Sequence, residues 1–378
     1  MVINSSGKSL FEIHDSTGKE FKEIYDNQGR LIFKNWSEIS GVPPLNFTSR
    51  GDYLKDYRIY GNTVQDGTPT PENPVEVVGC GVRTVQLFED KIVDCNINDS
   101  GNLIRRTEFD MYLAKVEQGV TYTASDLFTG GFFAAKPEIG STSYDGRRIV
   151  YAPPTFTAPI TGYVIYLVDS GSTVHMLNLG STALPYEPYG YKIPVTVSDG
   201  TNSIITPVYI GSEPLHKIGD YADYVDFQRG VVVRRIKKLV LTGDENFIRV
   251  TNGTFYEPNI VNDYMHVNIN ICVSTHYISQ KNASGTSQVN NNNVAFHTET
   301  MYNRVYIKDT RFETSNDFTS FLSAQYEAGT PVTIWYVLAE PEEEPLENLS
   351  PIQTIKGTNI LTADTTVQPS EIYIKYKR

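Results

Sequence analysis

Between residues 85 and 190 the chain runs as short strand-like stretches separated by clusters of Gly, Ser, Pro and Asp. "VTYTASDLF", "GFFAAK", "RRIVYAPPTFTAP", "GYVIYLVDS" and "TVHMLNLGS" follow one another in this way. Stretches of that length, punctuated by turn residues, suit an antiparallel sandwich or jelly roll of about 100 residues. "GYVIYLV" (Gly162 to Val168) is apolar enough for a strand buried inside such a sandwich. Residues 191–378 also read mostly as strands, with a hairpin in "YVDFQRGVVVRRI" turning at Gln228–Gly230. One helix stands out, in "TSNDFTSFLSAQYEAGTP". Thr314 or Ser315 caps it, and Phe318, Phe321, Leu322 and Tyr326 share one face. Gly329 and Pro331 end it.

Composition narrows the function classes. The 378 residues include 25 Tyr and carry a net charge of −12. Tyr suits exposed strand faces and binding surfaces, and β-rich chains also favour it for its shape. The acidic balance argues against a nucleic-acid partner, because such affinity rests on neutralising phosphates. Arg234, Arg235, Lys237 and Lys238 form the one basic cluster, and in a strand they alternate between faces. Cys80, Cys95 and Cys272 are odd in number and widely spaced, which suggests neither a disulfide framework nor a zinc site. The N-terminal "MVINSSGKSLFEIHD" does not read as a signal peptide, and no apolar run is long enough to span a membrane.

Residues 1–36 hold a short repeat: "EIHDSTGK" recurs as "EIYDNQGR" eleven residues later. Each copy is a strand followed by D-x-x-G, so "SLFEI", "EFKEIY" and "RLIFKN" form a small β-meander. So few strands bury little by themselves, which makes the segment an anchor needing a partner surface. Next comes "YRIYGNTVQDGTPTPENPVEVVGCGVRT", with Pro69, Pro71 and Pro74 between two strand-like runs. Each Pro fixes φ and biases its predecessor toward extended backbone, so the phrase reads as a stiff connector.

Catalytic signatures are absent from the sequence: no GxSxG, HExxH, phosphate loop or dinucleotide fingerprint occurs. His266 and His276 would lie ~33 Å apart on an extended strand, too far to share a metal. Asp220, Asp223 and Asp226 could ligate calcium in a turn, but they lack the dense loop pattern of a calcium site. The positive features suit glycan contact, in which rings cover the apolar faces of sugars and amides meet their hydroxyls. Candidate residues are Tyr122, Phe132, Phe133, Tyr144 and Tyr151 in the jelly-roll region, and Asn290, Asn291 and Asn292 in the polar loop "SQKNASGTSQVNNNN". The competing reading makes the rings core and the loop a solvated linker. No catalytic residue, cofactor or metal ligand is assigned.

Several long stretches then carry a resemblance. "LKDYRIYGNTVQDGTPTPENPVEVVGCGVRT", "LGSTALPYEPYGYKIPVTVS" and "EPLHKIGDYADYVDFQRGVVVRRIKKLVLTGDENF" are three of them. "VYIKDTRFETSNDFTSFLSAQYEAGTPVTIWYVLAEPEEEP" and "TIKGTNILTADTTVQPSEIYIKY" complete the set. In this order they resemble tail and baseplate-associated minor structural proteins of bacteriophages that infect Gram-positive bacteria. The likeness covers most of residues 45–378. It implies a carbohydrate-binding-module-like jelly roll between the Pro-rich phrase and "PYEPY". The chain departs from the family pattern at "VQLFEDK" and "LNLGS", so the resemblance transfers no binding residue.

The expected fold is therefore mainly β: a multi-domain antiparallel β-sandwich and jelly-roll architecture, with a small N-terminal β-meander and one helix in the C-terminal domain. The expected divisions are 1–36 (attachment meander), 37–84 (strand and connector), 85–190 (jelly roll) and 191–378 (β-rich, with a helix near 315–328). The expected function is a virion tail or baseplate protein, assembled in the host cytoplasm, that adheres to host cell-wall glycan and is not an enzyme. Its expected partners are other tail proteins through residues 1–36, the glycan, and further copies of itself as a trimer, with no nucleic acid and no membrane insertion. The alternatives are a spacer without ligand, a tail-associated polysaccharide depolymerase and a bacterial surface adhesin.

Overall fold

The computed structural model describes residues 23–25, 31–34, 45–49, 53–54, 57–171, 175–250, 253–257, 272–280, 289–299, 302–347 and 349–374. The protein is mainly β, with many antiparallel sheets and one helix among the described residues. It divides into two compact units. The larger combines Met1–Val82, Ile193–Ile210 and Pro214–Arg378, and the smaller is Arg83–Lys192 with Gly211–Glu213. The jelly-roll region is thus an insertion, because the chain leaves the larger unit after Val82 and resumes it at Ile193.

The inserted unit is built on a five-stranded sheet. Its strands run, in spatial order, Ile149–Ala152, Phe128–Phe133, Gly162–Asp169, Phe109–Val116 and Asp90–Ile92. Side chains alternate across a strand, so each strand feeds two layers. Ala114, Val116, Phe128, Phe132, Val164, Tyr166 and Val168 join one core. Tyr122 and Leu177, from the three-stranded sheet of Thr155–Thr157, Thr121–Ala124 and Leu177–Leu179, belong to the same core. Met111, Leu113, Phe133 and Ile165 join a second core with Cys95, Ile97 and Leu103 of the hairpin Cys95–Ile97/Leu103–Arg105. The apolar run at Gly162–Val168 follows from this, since its strand is covered on both faces. Gly130 fits the same strand pair for a steric reason: a Cβ there would lie 1.7 Å from the Ile165 carbonyl oxygen.

The two ends of the insertion are clasped together. Thr84 N–H donates to the Gly190 carbonyl at 2.9 Å, and the Thr84 hydroxyl donates to the same oxygen at 3.2 Å. Val85 N–H donates to Glu187 at 3.1 Å. The Arg83 guanidinium lies 4.3 Å from the Tyr189 ring centre and 5.2 Å from that of Tyr191. The "PYEPYGY" stretch is therefore the root of the insertion. Gly190 is required there, because a Cβ would lie 2.0 Å from the Gly211 carbonyl oxygen.

The larger unit interleaves segments from before and after the insertion. Its six-stranded antiparallel sheet runs Cys272–Ser274, Thr333–Pro345, Val231–Val240, Tyr224–Asp226, Tyr57–Tyr60 and Glu371–Ile374. A second sheet contains Ser203–Tyr209, Tyr191–Ser198, Gly357–Ala363 and Leu45–Ser49 in that order. Residues 37–84 therefore contribute strands to sheets shared with residues 193–378. The cause is pairing over a long sequence distance: Tyr60 faces Tyr224 on one side and Glu371 on the other.

The Pro-rich phrase is the tip of a hairpin. Thr63–Gln65 pairs antiparallel with Val77–Gly79, leaving residues 66–76 as its loop. Thr70 and Asn73 exchange backbone hydrogen bonds at 3.1 Å, with Pro71 at the second turn position, where its fixed φ suits the turn. Pro69 and Pro71 are buried. The loop is tied down by Val75 N–H to the Thr275 carbonyl (2.9 Å), by Gln65 Nε2 to the Ser274 carbonyl (2.7 Å) and by Glu72 to Arg311 (3.0 Å). The stiff connector expected between two strand-like runs is thus a folded, anchored hairpin loop rather than an extended stretch.

The helix spans Ser315–Glu327 and starts as expected, with Thr314 accepting from Asp317 N–H at 3.1 Å. Phe318 and Leu322 are buried against Phe255, Val305, Ile307 and Ile334. The Phe318 ring stacks on Phe255 with centres 4.4 Å apart. Tyr326, expected on the same face, is exposed. Of the N-terminal meander, Glu23–Tyr25 pairs antiparallel with Leu31–Lys34. The "SLFEI" strand lies outside the described residues.

Candidate functional site

The glycan-contact candidates separate into three groups. Tyr122, Phe132 and Phe133 are 3%, 6% and 2% exposed, so they are core side chains rather than surface rings. The physical reason is the double covering of the central sheet: adjacent Phe132 and Phe133 point to opposite faces, and each face is sealed by its own layer. Only Tyr122 retains a place beside solvent-accessible space, in the cleft described below.

Tyr144 and Tyr151 are displayed instead. They are 61% and 76% exposed and lie on the same margin of the five-stranded sheet. Tyr144 N–H donates to the Phe132 carbonyl at 2.7 Å, and Tyr151 N–H donates to the Thr129 hydroxyl at 3.1 Å. Three residues of strand separate those anchors, or roughly 10 Å at ordinary strand rise. The loop carrying Tyr144 is fixed by Ser143 N–H to the Gly101 carbonyl (2.8 Å) and by the Thr142 hydroxyl to Asn102 (2.6 Å). Tyr151 has φ of 49°, a left-handed conformation that a bulky residue adopts only when its surroundings impose it.

Asn290 and Asn291 are exposed, and Asn292 is half-buried with φ of 60°. Asn290 N–H donates to Gln280 at 2.7 Å, and Asn291 Oδ1 accepts from Thr310 N–H at 2.9 Å. Asn291 is therefore partly occupied in shaping its own turn. Residues 281–288 of the same polar loop lie outside the described residues.

The inserted unit holds a cleft of about 520 Å³. Leu87, Val116, Val120 and Leu179 supply aliphatic walls, and Tyr122 and Tyr163 supply rings. Lys115, Glu117 and Thr161 supply its polar groups. A volume in this range, mostly apolar with a few polar groups, is typical of small-ligand sites. The turn that forms one wall is held firmly. Glu117 N–H donates to the Tyr122 hydroxyl (2.9 Å) and Gln118 N–H to the Thr161 hydroxyl (3.0 Å). Gly119 N–H donates to the Ala158 carbonyl and Ala158 N–H to the Val120 carbonyl, both at 2.9 Å. Tyr122 thus acts as a brace, and its O–H hydrogen is not consumed by the bond it accepts.

The other chemistry-bearing groups are committed to structure. Asp223 and Asp226 are each 1% exposed. Asp226 pairs with Arg58 at 3.0 Å and caps Arg229 N–H at 3.2 Å. Asp223 accepts from the N–H groups of His216 (2.9 Å), Arg235 (2.6 Å) and Ile236 (2.9 Å). Burial pushes its carboxyl up to about 6, although Arg234 and those N–H groups pull the other way. Burial, helped by Arg234 and Lys238, pushes the His216 imidazole down to about 3. His276 is buried with Nδ1 2.7 Å from the Thr275 hydroxyl, and His266 lies outside the described residues. All three cysteines are buried and unpaired. Among the described residues no group of three or more His, Cys, Asp or Glu is placed to hold a metal ion. No helix among them is long and apolar enough to cross a membrane.

No family model, curated protein or solved structure matches this chain.

The cleft was hidden from sequence reasoning because its walls come from residues 87, 115–122, 161–163 and 179. None of these segments carries a motif. The one available signal was Leu179, an apolar residue in a turn-rich stretch, which proves 59% exposed.

Proposed function

We propose that the chain is a virion tail or baseplate component of a phage that infects Gram-positive bacteria, and that its inserted β-sandwich adheres to host cell-wall glycan. The long ordered stretches quoted above support the tail assignment. The observation that carries the adhesion reading is the braced cleft of about 520 Å³ in the inserted unit, with aliphatic and aromatic walls and polar groups at its margin. A sheet covered on both faces gives such a site the rigidity that weak sugar contacts need, because little freedom is lost on binding. Residues 1–36 dock the chain to the particle, and several copies per particle raise the avidity of individually weak sites.

The test is binding of the labelled, correctly assembled protein to host cells, with purified wall polysaccharide as competitor and reducing-end release followed in parallel. Saturable binding that the polysaccharide displaces, without release, is the expected result. Absence of binding converts the chain to a spacer, and released reducing ends make it a depolymerase.

A further inference from the structure

The edge strand Ile149–Ala152 of the inserted unit carries a bulge. Phe128 pairs with Ala152 and Gly130 with Ile149, so Thr129 alone faces both Val150 and Tyr151. Ile149 and Ala152 pack against the first core. Neighbouring side chains on a strand point to opposite sides. Arg148 and Val150, which flank Ile149, and Tyr151, which precedes Ala152, therefore turn away from that core. Exposure agrees: Val150 is 48% and Tyr151 76% exposed, and Arg148 is half-buried. The three share one side of the sheet margin, remote in sequence from the walls of the cleft.

Packing accounts for neither Tyr151 nor Arg148. A bulge at a sheet edge guards against pairing with another chain, but that task needs the backbone and not a ring. Glycine or asparagine takes a φ of 49° more cheaply than tyrosine. Tyr151 nonetheless stands there, and among the described residues its ring stacks on nothing and its hydroxyl has no partner. The Nε of Arg148 is shut off from solvent without a hydrogen-bond partner, and its guanidinium joins no ion pair among the described residues. Asp145, the nearest acidic residue in sequence, pairs with Arg147 at 2.7 Å. A partly desolvated guanidinium without an acceptor is costly, and an oxyanion is its best partner, through short charge-assisted bonds. Arg148 and Tyr151 are three residues apart, at most ~10 Å at strand rise, a gap that the long arginine side chain narrows. The Tyr151 ring offers the kind of apolar face on which a pyranose lies.

We propose that Arg148 and Tyr151 form a second sugar site, separate from the cleft, that binds an acidic unit of the wall glycan. The sugar ring lies on Tyr151, and its carboxylate or phosphate meets the Arg148 guanidinium. The source of the ligand rests on the adhesion reading above. The chain's net charge of −12 does not draw polyanions from a distance, so the site reads one acidic group at contact range.

Four probes test this by titration calorimetry and protein-observed NMR on the intact chain: tetragalacturonate, its methyl ester, glucose 1-phosphate and inorganic phosphate. Tetragalacturonate binds if the acidic group is a carboxylate, and glucose 1-phosphate if it is a phosphate, in either case with shifts at residues 148–151. The methyl ester keeps the ring and loses the charge, and inorganic phosphate keeps the charge and lacks the ring. Both are expected to bind at least tenfold more weakly. Tyr151→Gly relieves the strained φ while removing the ring, and Arg148→Gln removes the cation. Each is expected to weaken the bound probe tenfold or more in protein that melts as before, whereas Tyr151→Phe and the remote Tyr326→Ala leave it unchanged. Absence of binding by both acidic probes, equal binding of the methyl ester, or indifference to both Tyr151→Gly and Arg148→Gln overturns the proposal. If wall polysaccharide is bound on cells and neither substitution matters, this site falls and adhesion stands. If an acidic probe is lost in both variants but cells are not bound, the site stands and the adhesion reading falls.

Discussion

The central sheet of the inserted unit and the six-stranded sheet of the larger unit are stabilised in different ways. In the first, strands Phe109–Val116 and Gly162–Asp169 are apolar on both faces, and two separate cores hold them. In the second, the strand Thr333–Pro345 is buried at its start and exposed from Glu340 onward. The pairing with Val231–Val240 is continued there by charge: Glu342 meets Lys237 at 3.0 Å, Glu344 meets Arg234 at 3.1 Å, and Glu343 meets Arg229. Beneath that margin, Asp223 and Arg234 form a buried polar cluster, in which Arg234 donates to the Pro214 carbonyl at 3.1 Å and to that of Ile210. The comparison teaches that two β-sheets of one chain can be secured differently, the first by apolar layers on both faces and the second, at this margin, by paired charges and a buried polar cluster.

The largest effect is expected at the buried cluster. Asp223→Ala strands three backbone donors and leaves the Arg234 guanidinium without its buried counter-charge, which costs about 3–5 kcal/mol. Chemical denaturation followed by hydrogen exchange should show that loss in strands 224–240, with the inserted unit unchanged. Ile165→Ala is the reciprocal change. It removes a fully buried side chain from the second core of the insertion and is expected to cost about 2–5 kcal/mol there, leaving exchange in the larger unit as it was. Equal effects of either substitution on both units would show that they unfold as one and remove the basis of the comparison.

Acid sharpens the contrast. The His216 imidazole is held down to about 3, so its unfolded state takes up a proton first, and stability falls as pH drops from about 6.5 toward 3. Asp223 works in the opposite sense. Its carboxyl, raised to about 6, is protonated more readily in the folded state, so it adds stability as pH falls from 6 toward 4. Between pH 6 and 4 the two groups act in opposite directions, and the limb that His216 contributes is the loss of stability on acidification. His216→Gln should flatten or reverse that limb in melts taken between pH 7 and 4, and an unaltered limb would reject the assignment. The smallest effect is expected at the helix cap, where Thr314→Ala should cost about 1 kcal/mol and raise exchange in the first turn of Ser315–Glu327 only.

Local signals carried well into the structure. The cap at Thr314, the buried Phe318 and Leu322, the turn at Gln228–Gly230 and the doubly buried run at Gly162–Val168 all rest on neighbours within one element. What could not be read was long-range. No residue between 57 and 60 announces that its strand will lie between residues 224–226 and 371–374. The prolines fix φ locally but do not say that Thr70 and Asn73 close a turn or that Arg311 waits for Glu72. Aromatic residues beside turns looked like display positions. For Tyr144 and Tyr151 exposure is found, and for Phe132 and Phe133 it is not, because the three-stranded sheet covers the face of Phe132 and the hairpin Cys95–Ile97/Leu103–Arg105 covers that of Phe133.

The hydrogen bonds that join Thr84 to Gly190 also bear on how such a chain can change over generations. A segment whose two ends lie within one hydrogen bond of each other can be cut out and replaced at the level of the gene without shifting the register of the host sheets. Whatever the inserted unit does can then be altered by exchanging one almost contiguous cassette, while the interleaved strands on either side of it, which must all be kept together, are inherited as a fixed chassis.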